Sequence, residues 1–347
     1  MLNIGHRTMR AFATFVLCFA AQTAVALDAQ SINDAQWNKQ TDTKGGMSPV
    51  VVKAQILLDR AHFSPGEIDG KFGENFKKAV TTFSSAEQAV EARGEISEEV
   101  WKKLISLSEE PVLIDYTLVE DDVGGPFLET IPSKMEDMKD LPSLGYTSPK
   151  EKLAEKFHMS QELLVALNPG KQFNASGERI TVANVSAGAV PQKAVRLEVD
   201  KTSQVLRAFA KGGKLIAVYP VTAGSEEKPA PSGPLKVVSV SKNPTYQYNP
   251  EYAFKGVRTK EPFTIKPGPN NPVGLAWIGL SAKGYGIHGT PEPSKVSKTE
   301  SHGCIRMTNW DVLQLSSIVA KGTVVDFIGD EQARSEARST KSIKRRH

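Results

Sequence analysis

The hydrophobic period of this chain changes once, near residue 190, and that change constrains the fold more than any other feature. Before it, apolar residues recur at helical spacing: Val51, Ala54 and Leu58, then Phe76, Val80 and Phe83, then Trp101 and Leu104. After it they alternate. "AVRLEVD" puts Val195, Leu197 and Val199 on one face, and Gly212-Gly213 separates "QVLRAFA" from "LIAVYPV" as in a hairpin. "LKVVSV" and "TVVDFI" continue the strand pattern. One late helix is expected over 309–320, with Val312, Leu315 and Val319 inward and Gly322 at its end. Helices followed by strands imply a multidomain α+β chain, and 347 residues allow two or three units.

The termini read differently from the body. "MLNIGHRTMR" is basic, "AFATFVLCFAAQ" is apolar but short, and "AVA" ends at Ala26, so residues 1–26 are expected to be a signal peptide. Cys18 lies inside that segment and leaves with it. Cys304 is then the single thiol of the mature chain, which can hold no internal disulfide. No later stretch reaches the roughly 20 apolar residues of a membrane span. The mature chain is expected beyond the inner membrane. A net charge of +4, with acids and bases interspersed, excludes a nucleic-acid stripe. The tail 330–347 is basic and poor in apolar residues, as in a disordered, solvated segment.

Two segments precede the strands. In 47–107, Ser48-Pro49 opens one helix, "SPGEIDGKFG" forms a turn and Ser97 caps another helix. Three short helices around "IDGKFG" resemble the peptidoglycan-binding domain, at Gln55, Leu58, Gly66, Ile68, Asp69, Gly70, Phe72, Gly73, Ala79, Val80, Phe83 and Trp101. In 111–186, "YTLVEDDV" reads as a strand, Ser148-Pro149 and Ser160 open helices bearing Leu153 and Leu163, and "GERITVANV" closes as a strand. That order resembles a LysM module, which binds N-acetylglucosamine polymers. The module's usual Gly-Asp step is missing, and residues 121–147 read as an insertion.

The chemistry concentrates in "IHGTPEPSKVSKTESHGCIRM", Ile287 to Met307. A cysteine attacks as thiolate and needs a base or a positive field to form one. His302 lies two residues before Cys304, and His288 ends a short apolar run that can approach it across a sheet. Either supplies the imidazole of a nucleophile–base pair; His288 is taken as that partner and His302 as its support. Gly303, with no side chain, leaves backbone N–H groups free to face a carbonyl oxygen, an oxyanion hole in outline. Arg306 offers a planar fork for a carboxylate. A zinc site from His288, His302 and Cys304 competes, but such sites use better-defined spacing, so no metal or other cofactor is expected. An inert core cysteine fits poorly beside His-Gly and Arg.

"IHGT" followed by "SHGCIRM" resembles the L,D-transpeptidase catalytic domain of the YkuD family, together with "VYPVTAGSEEKPAPSGPLKV" and "NNPVGLAWIGL" upstream. The resemblance covers residues 193–329 and implies a β-rich catalytic sandwich. It implies Cys304 as nucleophile, His288 as proton acceptor and donor, and His302, Gly303 and Arg306 as supporting residues. The implied partner is peptidoglycan, its stem peptides and glycan strands. The implied reaction releases D-alanine from a tetrapeptide stem and passes the acyl group to a stem amine as a 3→3 cross-link, to a protein amine that anchors a lipoprotein, or to water. The last outcome makes an L,D-carboxypeptidase or other wall cysteine peptidase, and a non-catalytic wall-binding protein is the remaining alternative.

Overall fold

The computed structural model describes residues 27–37, 46–87, 94–186, 188–224, 229–252, 257, 259–299 and 303–329. The expected signal segment 1–26, the basic tail 330–347 and His302 lie outside the described residues.

The first half holds α1 (Ala29–Asn33), α2 (Pro49–Arg60), α3 (Glu74–Ala86), α4 (Glu98–Ser106), β1 (Leu113–Thr117), α5 (Glu120–Val123), α6 (Met135–Met138), α7 (Pro149–Lys156), α8 (Gln161–Leu167) and β2 (Arg179–Ala183). The hydroxyls of Ser97, Ser148 and Ser160 accept the backbone N–H three residues on, opening α4, α7 and α8. Each such cap contributes about 1 kcal/mol. The strand expected through "YTLVEDDV" stops at Thr117, and Glu120–Val123 is helical instead. The cause is local: the Asp122 carboxylate turns back to accept the N–H of Val119, with three acids in that first turn.

The second half holds β3 (Arg196–Asp200), β4 (Val205–Phe209), β5 (Leu215–Pro220), β6 (Thr222–Ala223), β7 (Gly233–Lys242), β8 (Tyr246–Tyr248), β9 (Phe263–Ile265), β10 (Ala276–Leu280), β11 (Gly286–His288), β12 (Ile305–Arg306), α9 (Asn309–Ile318) and β13 (Val324–Ile328). Among the described residues, nine strands form one sheet in the order β5-β4-β3-β13-β7-β10-β11-β12-β6, and β8 pairs with β9 apart from it. The Gly212-Gly213 hairpin joins β4 to β5 in antiparallel register. Leu197 and Val199 are fully buried, but Val195, expected on their face, is 50% exposed. It precedes β3 and lies at the rim of the sheet, past the packed layer. The late helix is two residues shorter than expected, ending at Ile318.

Two apolar cores result. One runs without a break through α2, α3 and α4 and on to β1, α7, α8 and β2, so segments 47–107 and 111–186 share it. The backbone joins them too: Ile68 N–H donates to His158 O, and Ser160 N–H to Ile68 O. The other core lies between the large sheet and α9.

The seam between the two cores is largely polar. Residues 62–64 extend the sheet beyond β5, with Ser64 N–H donating to Val218 O at 2.9 Å and Val218 N–H to His62 O at 2.8 Å. That pairing covers an edge which would otherwise present bare backbone groups. From the 141–151 stretch, Leu144 N–H donates to Pro267 O and Leu144 O accepts from Asn270 N–H, both at 2.9 Å. Gly268 has φ +146°, and a β-carbon there would stand 2.1 Å from Leu144 O, so only glycine permits this approach.

Candidate active site

The site is built on the face shared by β10, β11 and β12. β11 and β12 are parallel, with Ile287 opposite Ile305 and His288 opposite Arg306. Ile287 and Ile305 are fully buried in the sheet–helix core. Because side chains alternate, their neighbours Gly286, His288, Cys304 and Arg306 take the other face. His288 in β11 and Cys304, the residue just before β12, are therefore diagonal neighbours.

β10 completes that face. Trp277 pairs with His288 in antiparallel register, and the two rings stack at 5.7 Å and 17°. Gly286 leaves room for the indole, since a β-carbon there would lie 2.4 Å from the ring. The imidazole is thus fixed in plane by packing, before any hydrogen bond.

The hydrogen bond then fixes its tautomer. His288 Nδ1 lies 2.7 Å from Gly289 O. A carbonyl only accepts, so Nδ1 carries the hydrogen and Nε2 keeps its lone pair. Burial, and next the positive charge of Arg306, push the imidazolium pKa down to about 4, against a small opposing pull from Gly289 O. At neutral pH this histidine is an uncharged proton acceptor.

Cys304 is half-buried, with Sγ 3.7 Å from Gly284 O. The preceding Gly303 has φ +96°, a left-handed turn that glycine adopts without strain. Burial lowers the Arg306 pKa, while Glu292 and Cys304 hold its charge in place. Arg306 and Cys304 thus lie within electrostatic reach of each other, and a cation there favours a thiolate. Tyr246 on β8 has its hydroxyl pKa raised, first by burial and then by Cys304, which brings the β8–β9 hairpin to the site.

Beneath the face, Asn309 at the start of α9 holds the strand ends. Its Oδ1 accepts from Leu275 N–H at 3.0 Å. A β-carbon on Gly274 or Gly289 would stand 2.1 or 2.3 Å from that oxygen, so both glycines seat directly against it.

The expected residues thus converge in part. His288, Gly303, Cys304 and Arg306 come together, and His302 falls outside the described residues. Tyr246, Trp277, Glu292 and Asn309 were not singled out from the sequence. The tryptophan could have been: it stands in the "NNPVGLAWIGL" segment, whose alternation sets it on the face opposite Ile278.

Comparison with known proteins bears on the same region. A family profile for the YkuD L,D-transpeptidase catalytic domain matches residues 194–327. The L,D-transpeptidase YkuD of Bacillus licheniformis is 30% identical over 180 residues, which cover 51% of this chain and 92% of that protein. The L,D-transpeptidase YqjB of Bacillus subtilis is 35% identical over 129 residues, covering 35% and 65%. The L,D-transpeptidase YbiS of Escherichia coli K12 is 29% identical over 194 residues, covering 54% and 62%.

Proposed function

Since the chain belongs to the YkuD family of L,D-transpeptidases, we propose that it acts on peptidoglycan through Cys304 as nucleophile and His288 as its base. The observation that carries this reading is the shared face: a thiol just before β12 and a neutral imidazole on the parallel strand β11, with the imidazole's lone pair on Nε2.

The reaction runs in two acyl transfers. Cys304 Sγ gives its proton to His288 Nε2 and attacks the carbonyl of the third stem residue. A C–S bond forms, and the oxyanion rests on the N–H groups of Gly303 and Cys304. As the C–N bond breaks, His288 returns the proton to the leaving nitrogen, and D-alanine departs. An amine of a second stem then attacks the thioester, His288 takes its proton, and the thiol is regenerated with a 3→3 cross-link formed. Arg306 keeps the imidazole neutral, steadies the thiolate and receives a stem carboxylate. His302 is assigned its supporting role from the motif alone. A protein amine in place of the stem amine anchors a lipoprotein to the wall.

The remaining assignments belong to the same proposal. Residues 1–26 direct export to the periplasm. Residues 47–107 are a peptidoglycan-binding-like unit and 111–186 a LysM-like unit with an insertion; the observed order of three helices, then strand, helices and strand, supports this. Residues 193–329 carry the chemistry.

Purified tetrapeptide muropeptides incubated with the enzyme and weighed by mass spectrometry test the reading. Dimers lighter than two monomers by one D-alanine, with free D-alanine in equal amount, are expected, and Cys304→Ala should form none. Accumulation of tripeptide stems without dimers would convert the assignment to a carboxypeptidase.

A further inference from the structure

The seam between the two cores reaches the active site at one point. Glu155 on α7 receives Asn309 Nδ2–H on both carboxyl oxygens, at 3.0 and 3.1 Å. Pro269 O takes the amide's other hydrogen at 3.1 Å. Tyr146 donates its hydroxyl to Glu155 Oε2 at 3.3 Å. Beside them, Asn270 Nδ2 donates to Glu151 Oε1 at 2.8 Å. These contacts come from the helical half and close on the residues that hold β10 and β11.

We propose that Glu155 is a positioning residue for His288, acting through Asn309 and Gly289. The proposal rests on the assignment of His288 as the base. Asn309 is 1% exposed, with both amide hydrogens donated and its oxygen accepting from Leu275 N–H. Removing Glu155 leaves one buried N–H without an acceptor. The amide then turns to find another, or water enters. Either change moves Oδ1, which bonds Leu275 N–H and seats the α-carbons of Gly274 and Gly289. Gly289 supplies the carbonyl that sets the His288 tautomer. A small rotation at Asn309 is therefore felt at Nε2 through one packed contact, against Gly289, and one hydrogen bond, from His288 Nδ1 to Gly289 O. Burial raises the Glu155 pKa to about 8, so the side chain is largely protonated at neutral pH, with one oxygen free to accept. A glutamine has the same shape and keeps that acceptor.

The test uses the full mature chain and tetrapeptide muropeptide, with kcat and KM measured separately. Glu155→Ala is expected to lower kcat by about 10-fold to 10²-fold, the scale of misplacing a reacting group by about 1 Å, with KM close to wild type. Glu155→Gln should restore most of kcat. Glu155→Met keeps the volume without an acceptor; it should behave as Ala, and it serves as the comparison if Ala does not give a cooperative melting transition. Wild-type kcat in a folded Ala or Met variant overturns the proposal, as does a Gln variant as impaired as Ala. Cys304→Ala, run alongside, tests the nucleophile on its own: product from that variant would sink the underlying reading whatever Glu155 does.

Discussion

His288 and His158 show how neighbours decide what an imidazole can do. His288 sits among an indole, a carbonyl and the Arg306 cation, and its pKa falls to about 4. His158 lies at the seam, stacked on Trp310 at 5.2 Å with Nδ1 3.1 Å from Asp59. Burial disfavours its charge too, but Asp59, and beyond it Asp311 and Glu155, outweigh that and raise its pKa. One histidine is kept ready to take a proton and the other is kept from releasing one.

The seam even gathers the residue types of a hydrolase. Ser64, His158, Asp59 and Asp311 all lie there, yet Ser64 Oγ donates to Asp311 at 3.0 Å and the histidine turns to Asp59. Among the described residues of the seam, no nucleophile meets a free base. The seam joins two cores, whereas on the face above β11 the His288 Nε2 lone pair has no partner among the described residues.

Breaking each histidine should separate the two roles. His288→Ala should slow acylation by about 10²–10⁴-fold, the usual contribution of a general base, and barely move the melting temperature. His158→Ala should do the reverse. Stopped-flow acylation and thermal melts on both variants check this, and a strongly slowed but fully stable His158→Ala would contradict the contrast.

A second experiment weighs the seam itself. Asp59→Ala leaves His158 without its carboxylate and should destabilise the chain by about 3 kcal/mol, the low end for breaking a buried pair. Denaturant melts measure it. For the same reason, removing residues 27–186 should do more than untether the catalytic half: it uncovers the β5 edge, Asn309 and Trp310. Acylation of small soluble substrates should then fall along with activity on sacculi, and full retention on small substrates would show that the seam is dispensable.

The pH profile sharpens the comparison further. His288 must be neutral to accept a proton, so the acid limb of kcat/KM should lie near pH 4, well below the histidine value of 6.5. Arg306→Gln should move that limb upward, but only part of the way, because burial is the larger cause. A limb at 6.5 in the wild type would place His288 in water.

The smallest effect concerns stability. Glu155 is raised from 4.5 to about 8, and Asp311 from 3.8 to about 7. The folded state keeps protons that the unfolded chain has released, so stability falls as pH rises through that window. Below pH 6.5 the depressed His288 opposes the trend, whereas between about pH 6.5 and 8 the raised Glu67 and His158 act in the same direction as Glu155 and Asp311. Glu155→Gln should flatten the decline there by no more than about 1.4 kcal/mol per pH unit, the limit for one proton. Melting curves at several pH values read it directly.

How much of this could be read from the chain follows sequence distance. His288, Gly303, Cys304 and Arg306 lie in one short stretch, and residue type alone suggested their chemistry. Glu155 and Asn309 are 154 positions apart, and Ser64 and Asp311 are 247. Only the fold brings such pairs together, and no local pattern announces them. Segments 47–107 and 111–186 read as two units from their resemblances, and no local pattern shows that their apolar faces share one core. In "EDDV", period-2 alternation lost to a carboxylate capping its own backbone.

The central claim is that Cys304, deprotonated by His288, becomes acylated. Intact-protein mass spectrometry after exposure to a carbapenem tests it most directly. A strained β-lactam carbonyl is a good electrophile for a thiolate, its carboxylate suits Arg306, and its ring-opened adduct stays on the enzyme. The wild type should gain the mass of one drug molecule, His288→Ala should gain it far more slowly, and Cys304→Ala should gain nothing. A wild type that stays unmodified while a simple thiol reagent labels Cys304 would mean an accessible cysteine without an acyl-transfer site, and would contradict the account.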